Sequence, residues 1–597
     1  MTIAGEAAEN SQFGAWNPDV RAPIPEPLRR YCTIFLPDNV LTSFSKAAEL
    51  SDLTGLEASE LVAFQPRRLL LHELLIRVTA DLSVPDGQRI EDLGINFREM
   101  TRCILVRHVE PHVNAITAAF ESKRQHIAQL MSDELPDLSR TQPGIPRTGL
   151  LARFRRRSGI AASEKAPRRW DQEVISGWAE KALNTEDALR RAAYRALVRV
   201  TSALIKRHGG PWGTRELILS IAADLAGNEV GADCIGSAIE PLLLQAVKFE
   251  GYRILPAQNA PVIMNTKGAS ASGKSTLRPL QKQLAGTIGV RWSDFALISP
   301  DIWRKQLLDY DSLGVNYKYA GSFTGDELQI VDQKLDRYMA RKAERGQMSH
   351  LLIDRFRFDS FAPDSDEAGS NLLTRFGRII YLFFMITPPA SLVERAWSRG
   401  LDVGRYKAVD DTLAHGVQAY SGMPQLFFTW VQRSDKRVHF EFLDNSVTRG
   451  ERPRTVAFGG NETLNILDIK CMIDIERYRR ANIHAAAPEL LFNDTASLSA
   501  EHNLDFLRQC IGRFREINFA DQDTGRIYLS MIAGNTVWTD QEALAAAMRA
   551  GDVRAALTAT APSAFERMSP VSAERRFLKS VSRSEPIPTL GRWGEGG

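Results

Sequence analysis

The sequence predicts an α/β protein: a three-layer core on a parallel sheet, with helical regions before and after it. Three observations carry that expectation. Five β-type runs, "APVIMNT", "FALIS", "HLLID", "RIIYLFFMIT" and "RVHFEFLD", alternate with helical segments, and such alternation builds parallel sheets covered on both faces. The first run leads directly into the spacing G-x-x-x-x-G-K-S at Gly268–Ser275. Outside this stretch apolar residues recur mostly at three- and four-residue intervals, the helical period.

At 597 residues the chain has room for several cores, three or four at about 150 residues each. Its 75 basic and 72 acidic side chains nearly cancel, so the overall charge does not describe a protein that coats nucleic acid. Cys32, Cys103, Cys234, Cys471 and Cys510 are odd in number and far apart, which suits reduced thiols rather than a disulfide framework. No basic start with an apolar core opens the chain, and no long uninterrupted apolar run follows. A cytoplasmic protein without a membrane span is expected; an effector secreted through a different N-terminal address fits equally.

Taken in order, residues 1–28 are polar and aperiodic and are expected to be disordered. Residues 29–135 are expected to form a helical domain, from "RRLLLHELLIRVTADL" and the segment after it. Residues 136–170, rich in Pro, Gly, Ser and Arg, resemble a basic linker. Arg153, Arg155, Arg156 and Arg157 there could grip a phosphate backbone, although a solvated charged linker is the preferred reading. Helical periodicity returns over 171–250, the α/β core spans 251–460, a mostly helical extension covers 461–582, and 583–597 are expected to fray.

Between a strand and a helix, the glycines of the motif let backbone N–H groups turn inward around phosphate oxygens, and the helix N-terminus adds its dipole. A flexible linker is the alternative, but linkers do not sit between a buried strand and a helix. The nucleotide-binding residues expected are Gly268, Ser272, Gly273, Lys274, Ser275 and Thr276, with Lys274 on the phosphates and the Ser275 hydroxyl on Mg²⁺. Pro279 should kink or tighten the helix that follows.

The second strand delivers Asp301 to the carboxyl edge of the sheet, where it could take the proton of an attacking hydroxyl or cap a helix. Asp354, closing the third strand, could hold Mg²⁺ through water, or pair with Arg355 or Arg357. Arg395, Arg399 and Arg405 follow the fourth strand, where guanidinium groups could offset charge on a transferring phosphoryl group or lie solvated on a helix. His415 reads as structural. Asp444 and Asn445 end the fifth strand, where a nucleotide base often packs and where a β-turn would look the same.

Together these residues resemble the zeta toxin family of P-loop kinases over about residues 255–455. The resemblance rests on Gly268 to Thr276, Asp301 with Arg304, "LLID" with Asp354, the arginine group, and His415 ten residues after Arg405. It implies a P-loop kinase core using ATP and Mg²⁺, with Lys274 on the phosphates and Asp301 as general base. Arg399 or Arg395, together with Arg405, would clamp the transferring group. Members acting on sugar nucleotides carry Glu-Gly-Thr after the third strand, where this chain has "IDRFRF". The expected activity is therefore an ATP-dependent small-molecule kinase acting on a hydroxyl of a nucleotide or nucleotide sugar, as a toxin or effector. An NTPase switch or binding module is the alternative, and a polynucleotide-end kinase ranks last. An antitoxin or host protein docking on the N-terminal helical region is the expected partner.

Overall fold

All six residues of Val262–Lys267 (β1) are buried, as a strand covered on both faces requires. In this computed structural model, which describes residues 13–135, 172–355, 372–566, 580–581 and 588–594, the expected strands form β1, β2 (Phe295–Ile298), β3 (His350–Asp354), β4 (Ile379–Ile386) and β5 (Arg437–Asp444). They pair in parallel in the order β5-β4-β1-β3-β2. β1 lies between β3 and β4, so the crevice at its carboxyl end opens at a switch point, where open α/β sheets hold ligands.

The sheet continues past the expected boundary at residue 460. β6 (Arg454–Gly460) and β7 (Thr463–Ile466) form an antiparallel hairpin beside β5, and β8 (Glu516–Ala520), β9 (Ile527–Ile532) and β10 (Asn535–Thr539) complete a ten-stranded sheet. The region 461–582 carries helices, as expected, but its strands β7, β8, β9 and β10 make it part of the sheet rather than a separate helical extension. Phe427, on the helix Val409–Val431, packs against Phe384, Phe440 and Phe442 as well as Phe506 and Phe514, so residues on both sides of 460 share one core.

The chain divides into two compact units, and the division falls inside the helices Pro66–Asp81 and Asp92–Ile104. The sheet unit takes in residues 76–101, which had been expected to belong to a helical domain over 29–135. There the Asp81 carboxylate accepts from Lys342 Nζ at 2.6 Å and from the Tyr338 hydroxyl at 2.6 Å, while Thr79 accepts from Trp303 Nε1 at 3.1 Å. Both ends expected to be disordered are in part ordered. Val20 is buried with Tyr406 and Ala408, and Lys318 pairs with Asp19 at 3.2 Å. Residues 588–594 lie along the start of β6, with Arg592 bridged to Arg454.

The buried Glu441 of β5 accepts hydrogen bonds from Thr455 Oγ1 at 2.7 Å, Leu590 N at 2.6 Å and Gly591 N at 2.9 Å. Burial outweighs these donors and pushes its carboxyl up to about 7 from the usual 4.5. The folded state then binds the extra proton, so this contribution is complete below pH 4.5 and is lost as pH rises through 7. Unfolding stability should fall by an amount on the order of 3 kcal/mol across that window. Urea titrations at several pH values check this, and Glu441→Gln should flatten the slope.

The second unit, residues 29–75 and 102–250, is helical. Its core joins Ile127 and Met131 of the helix Val113–Glu134 with Trp178, Leu197 and Ile221, so the two helical regions expected on either side of the linker form one body. Asn228 ties it locally, accepting from Phe64 N at 3.0 Å and donating to Val62 O at 2.7 Å. The helix Arg215–Glu250 is the one helix among the described residues long and apolar enough, by length and composition, to cross a membrane; it also carries much of this core. The linker arginines 153 and 155–157 lie outside the described residues.

Candidate active site

The loop after β1 is shaped by positions that admit no side chain. A Cβ on Gly268 would stand 2.7 Å from Ser272 Oγ and 2.8 Å from Met385 Cβ. Gly273 has φ +91° and would place a Cβ 2.3 Å from Asn445 Nδ2. Ser272 N bonds back to Ala269 O and Thr276 N to Gly273 O, closing two tight turns. Lys274–Leu277 form a single 3₁₀ turn, and the α-helix begins only at Arg278. Pro279 therefore occupies its second position, where no N–H is needed, and of the two expectations it is the tightened turn that is seen, just before the helix.

Lys274 folds over this loop, donating to Gly268 O at 3.2 Å and Ala269 O at 3.0 Å. Burial pulls its ammonium below the usual range, and the carboxylates of Asp354 and Asp301 oppose that. Ser275 Oγ donates to Asp354 Oδ2 at 2.9 Å, whereas Thr276 turns inward to Gly273 O at 2.6 Å. The hydroxyl beside the carboxylate is thus that of Ser275. Of the two neighbours proposed for Asp354, only Arg355 is described, and it turns elsewhere. Arg355 is buried against Asp332 and Asp336 at 2.6 Å each, and Arg357 lies outside the described residues.

Asp301 is not a helix cap. The turn Pro300–Trp303 has Ser299 at its N-cap position, and the Asp301 carboxylate instead takes two guanidinium groups, Arg405 at 2.6 Å and Arg304 at 2.9 Å. Arg304 is itself fixed by Gly321 O and Thr324 Oγ1. Burial would raise the Asp301 carboxyl, but Arg405, Arg304 and Arg399 outweigh it and hold the group well below the usual carboxylate range. The side chain stays 46% exposed toward the cavity, so it is ionised and reachable. Burial, and then Arg405, push Arg399 down to about 10, which still leaves it charged at neutral pH.

Arg395, the alternative to Arg399 for the clamp, lines the cavity and also holds backbone. Its NH2 donates to Asn445 O at 2.6 Å and Val447 O at 3.1 Å, so this guanidinium braces the segment after β5. Asn445 in turn donates to Ser272 O at 2.7 Å, joining that segment to the loop. Asn445→Ala should leave Ser272 O with only the longer bond from Thr387 Oγ1 at 3.3 Å and cost about 1 kcal/mol, measurable by urea unfolding of the full chain. His415 contacts Lys407 Nζ and lies 3.6 Å from Asp411; burial, reinforced by Lys407, lowers it to about 4, so it is neutral at physiological pH.

These groups line one cavity of about 1530 Å³ at the carboxyl edge of the sheet. Lys274, Asp301, Asp354, Arg399 and Arg405 meet there, with Asn445 at its β5 side. Arg89, Arg98, Arg278 and Arg452, which no motif singles out, also line it; Arg89 and Arg98 come from the 76–101 segment. Among the described residues no group of three or more His, Cys, Asp or Glu side chains gathers to hold a metal. Ser275 and Asp354 offer two oxygen donors, a set that suits Mg²⁺, which keeps waters and substrate phosphates as its remaining ligands.

No family model matches the chain, and no curated protein matches it. One solved structure that matches comes from a study of the PezAT chromosomal toxin-antitoxin system of Streptococcus pneumoniae. It is 15% identical and covers 36% of this chain and 79% of that chain, with a TM-score of 0.24. A superposition that loose carries no argument about this chain.

Proposed function

We propose that the chain is a P-loop kinase transferring the γ-phosphoryl group of ATP to a hydroxyl of a nucleotide or nucleotide sugar. The observation that carries this reading is the Asp301 carboxylate, held ionised by Arg405 and Arg304 at the mouth of the cavity that also holds the Gly268–Ser275 loop and Lys274. Lys274 exchanges its two loop carbonyls for phosphate oxygens. Asp301 orients the acceptor hydroxyl and takes its proton; the new O–P bond forms as the β–γ bridging P–O bond breaks, and ADP leaves with that electron pair. Because the carboxylate is a weak base, the proton moves late, once the acceptor oxygen has bonded to phosphorus. Arg399 and Arg405 offset charge on the transferring group.

Ser275 would hold Mg²⁺ directly and Asp354 through water, and the ion would neutralise charge on the β- and γ-phosphates. The toxin or effector setting rests on the family resemblance alone, and a protein partner for the helical unit on the size of that unit. The test is γ-labelled ATP incubated with the full chain and a pool of nucleotides and nucleotide sugars. Label in an organic phosphoester is expected, and label released only as inorganic phosphate would replace the kinase with an NTPase switch.

A further inference from the structure

The residues "PTLGRWG" (588–594) pack behind the cavity wall, bonded to its lining residues Arg452 and Pro453. Leu590 and Trp593 are buried, and Trp593 packs on Phe458 with ring centroids 5.3 Å apart. Leu590 O accepts from Arg452 Nε at 2.5 Å, Arg592 N donates to Pro453 O at 2.8 Å, Thr455 N donates to Arg592 O at 3.0 Å, and Gly594 N donates to Gln522 O at 2.8 Å. Glu441 closes the same contact from beneath, through Leu590 N and Gly591 N. Gly591 lies so close that a Cβ would stand 2.4 Å from Thr455 Oγ1.

What this strap holds is the segment Asn445–Pro453. Its first end is fixed by Arg395 and by Asn445 on the loop, and its middle by Arg449 paired with Asp402 at 2.7 Å. Its last residues, Arg452 and Pro453, line the cavity and are bonded to the strap. Strand order decides which part of a ligand this wall meets. Asp354 ends β3 and Asp301 lies in the turn after β2, both on one side of β1, where phosphoryl transfer is placed, and Asn445–Pro453 follow β5 on the other. A nucleotide whose phosphates lie at Lys274 must direct its nucleoside toward β5.

We infer that residues 588–594 are a positioning strap that completes the nucleoside end of the ATP pocket, acting through Arg452 and Pro453 rather than by touching the phosphates. This rests on the kinase reading above. The strap fixes the wall before ligand arrives, so its loss makes ATP binding bear the ordering of that segment.

The test compares two ligands on the full chain and on a chain ending at residue 587: MgATP, which needs the nucleoside wall, and inorganic tripolyphosphate with Mg²⁺, which does not. Removing the strap is expected to weaken MgATP binding by about three- to tenfold and leave tripolyphosphate unchanged. Gly591→Val, which drives the strap off Thr455, should reproduce the split, as should Trp593→Ala, and these variants decide the matter if the shortened chain fails to fold. Unchanged affinity for both ligands overturns the inference, and so does an equal loss for both, which marks a merely structural segment. Failure of the intact chain to bind either ligand overturns the kinase reading itself.

Discussion

Asp301→Asn should lower the turnover of phosphoryl transfer by about 10²- to 10⁴-fold while MgATP still binds. The carboxylate sits between Arg405 and Arg304 and keeps an exposed face toward the cavity, so it is the anion placed to receive the acceptor proton. Asparagine preserves size but cannot take that proton, and it leaves two guanidinium groups without their counter-charge. Asp301→Glu separates the two effects: it restores the charge but moves the oxygens, so a shared loss in both variants assigns the effect to position. Because the guanidinium groups hold Asp301 well below the usual carboxylate range, this residue contributes no acid limb to the pH–rate profile near neutrality. Steady-state turnover against pH, run beside ATP titrations, checks both statements.

Lys274→Ala is the second large effect expected, a loss of about 10²- to 10³-fold in kcat/KM with weaker ATP binding. Before ligand arrives the ammonium rests on two loop carbonyls, near enough to cross to a phosphate without rebuilding the loop. Burial favours its neutral form, so an arriving polyanion stabilises the charge that the loop only partly compensates. Arginine should not rescue the variant, since its planar fork does not match a position shaped for a compact ammonium. Binding and turnover measured on both variants decide this.

The five parallel strands were legible because each is a short apolar run followed by a helical period, and burial on both faces permits such runs. The strands of 461–582 were not. "EINFA", "IYLSMI" and "NTVWT" are too short to show alternation clearly, and the last two join through the tight Ala533-Gly534 turn, between helices that dominate the local pattern. Residues 76–101 read as helix and are largely helix, but nothing local says that Arg89 and Arg98 line the cavity of the sheet unit. At the site, spacing picked out the loop, and the ends of expected strands picked out Asp301 and Asp354, all of which line the cavity. Spacing could not distinguish Arg395, which braces a backbone, from Arg405, which faces Asp301, because both are arginines on one short stretch and the difference lies in what folds against them. The ordered 588–594 strap escaped for the same reason: "PTLGRWG" has no period of its own, and its order comes from Glu441, Arg452 and Phe458.

The most direct measurement is a crystal structure of the full chain with Mg²⁺ and a non-hydrolysable ATP analogue. The account predicts the triphosphate inside the Gly268–Ser275 loop, with Lys274 Nζ moved from the Gly268 and Ala269 carbonyls onto phosphate oxygens, Asp301 facing the γ-phosphate and the nucleoside against Asn445–Pro453. A nucleotide bound elsewhere, or a triphosphate whose far end points away from Asp301, would contradict it.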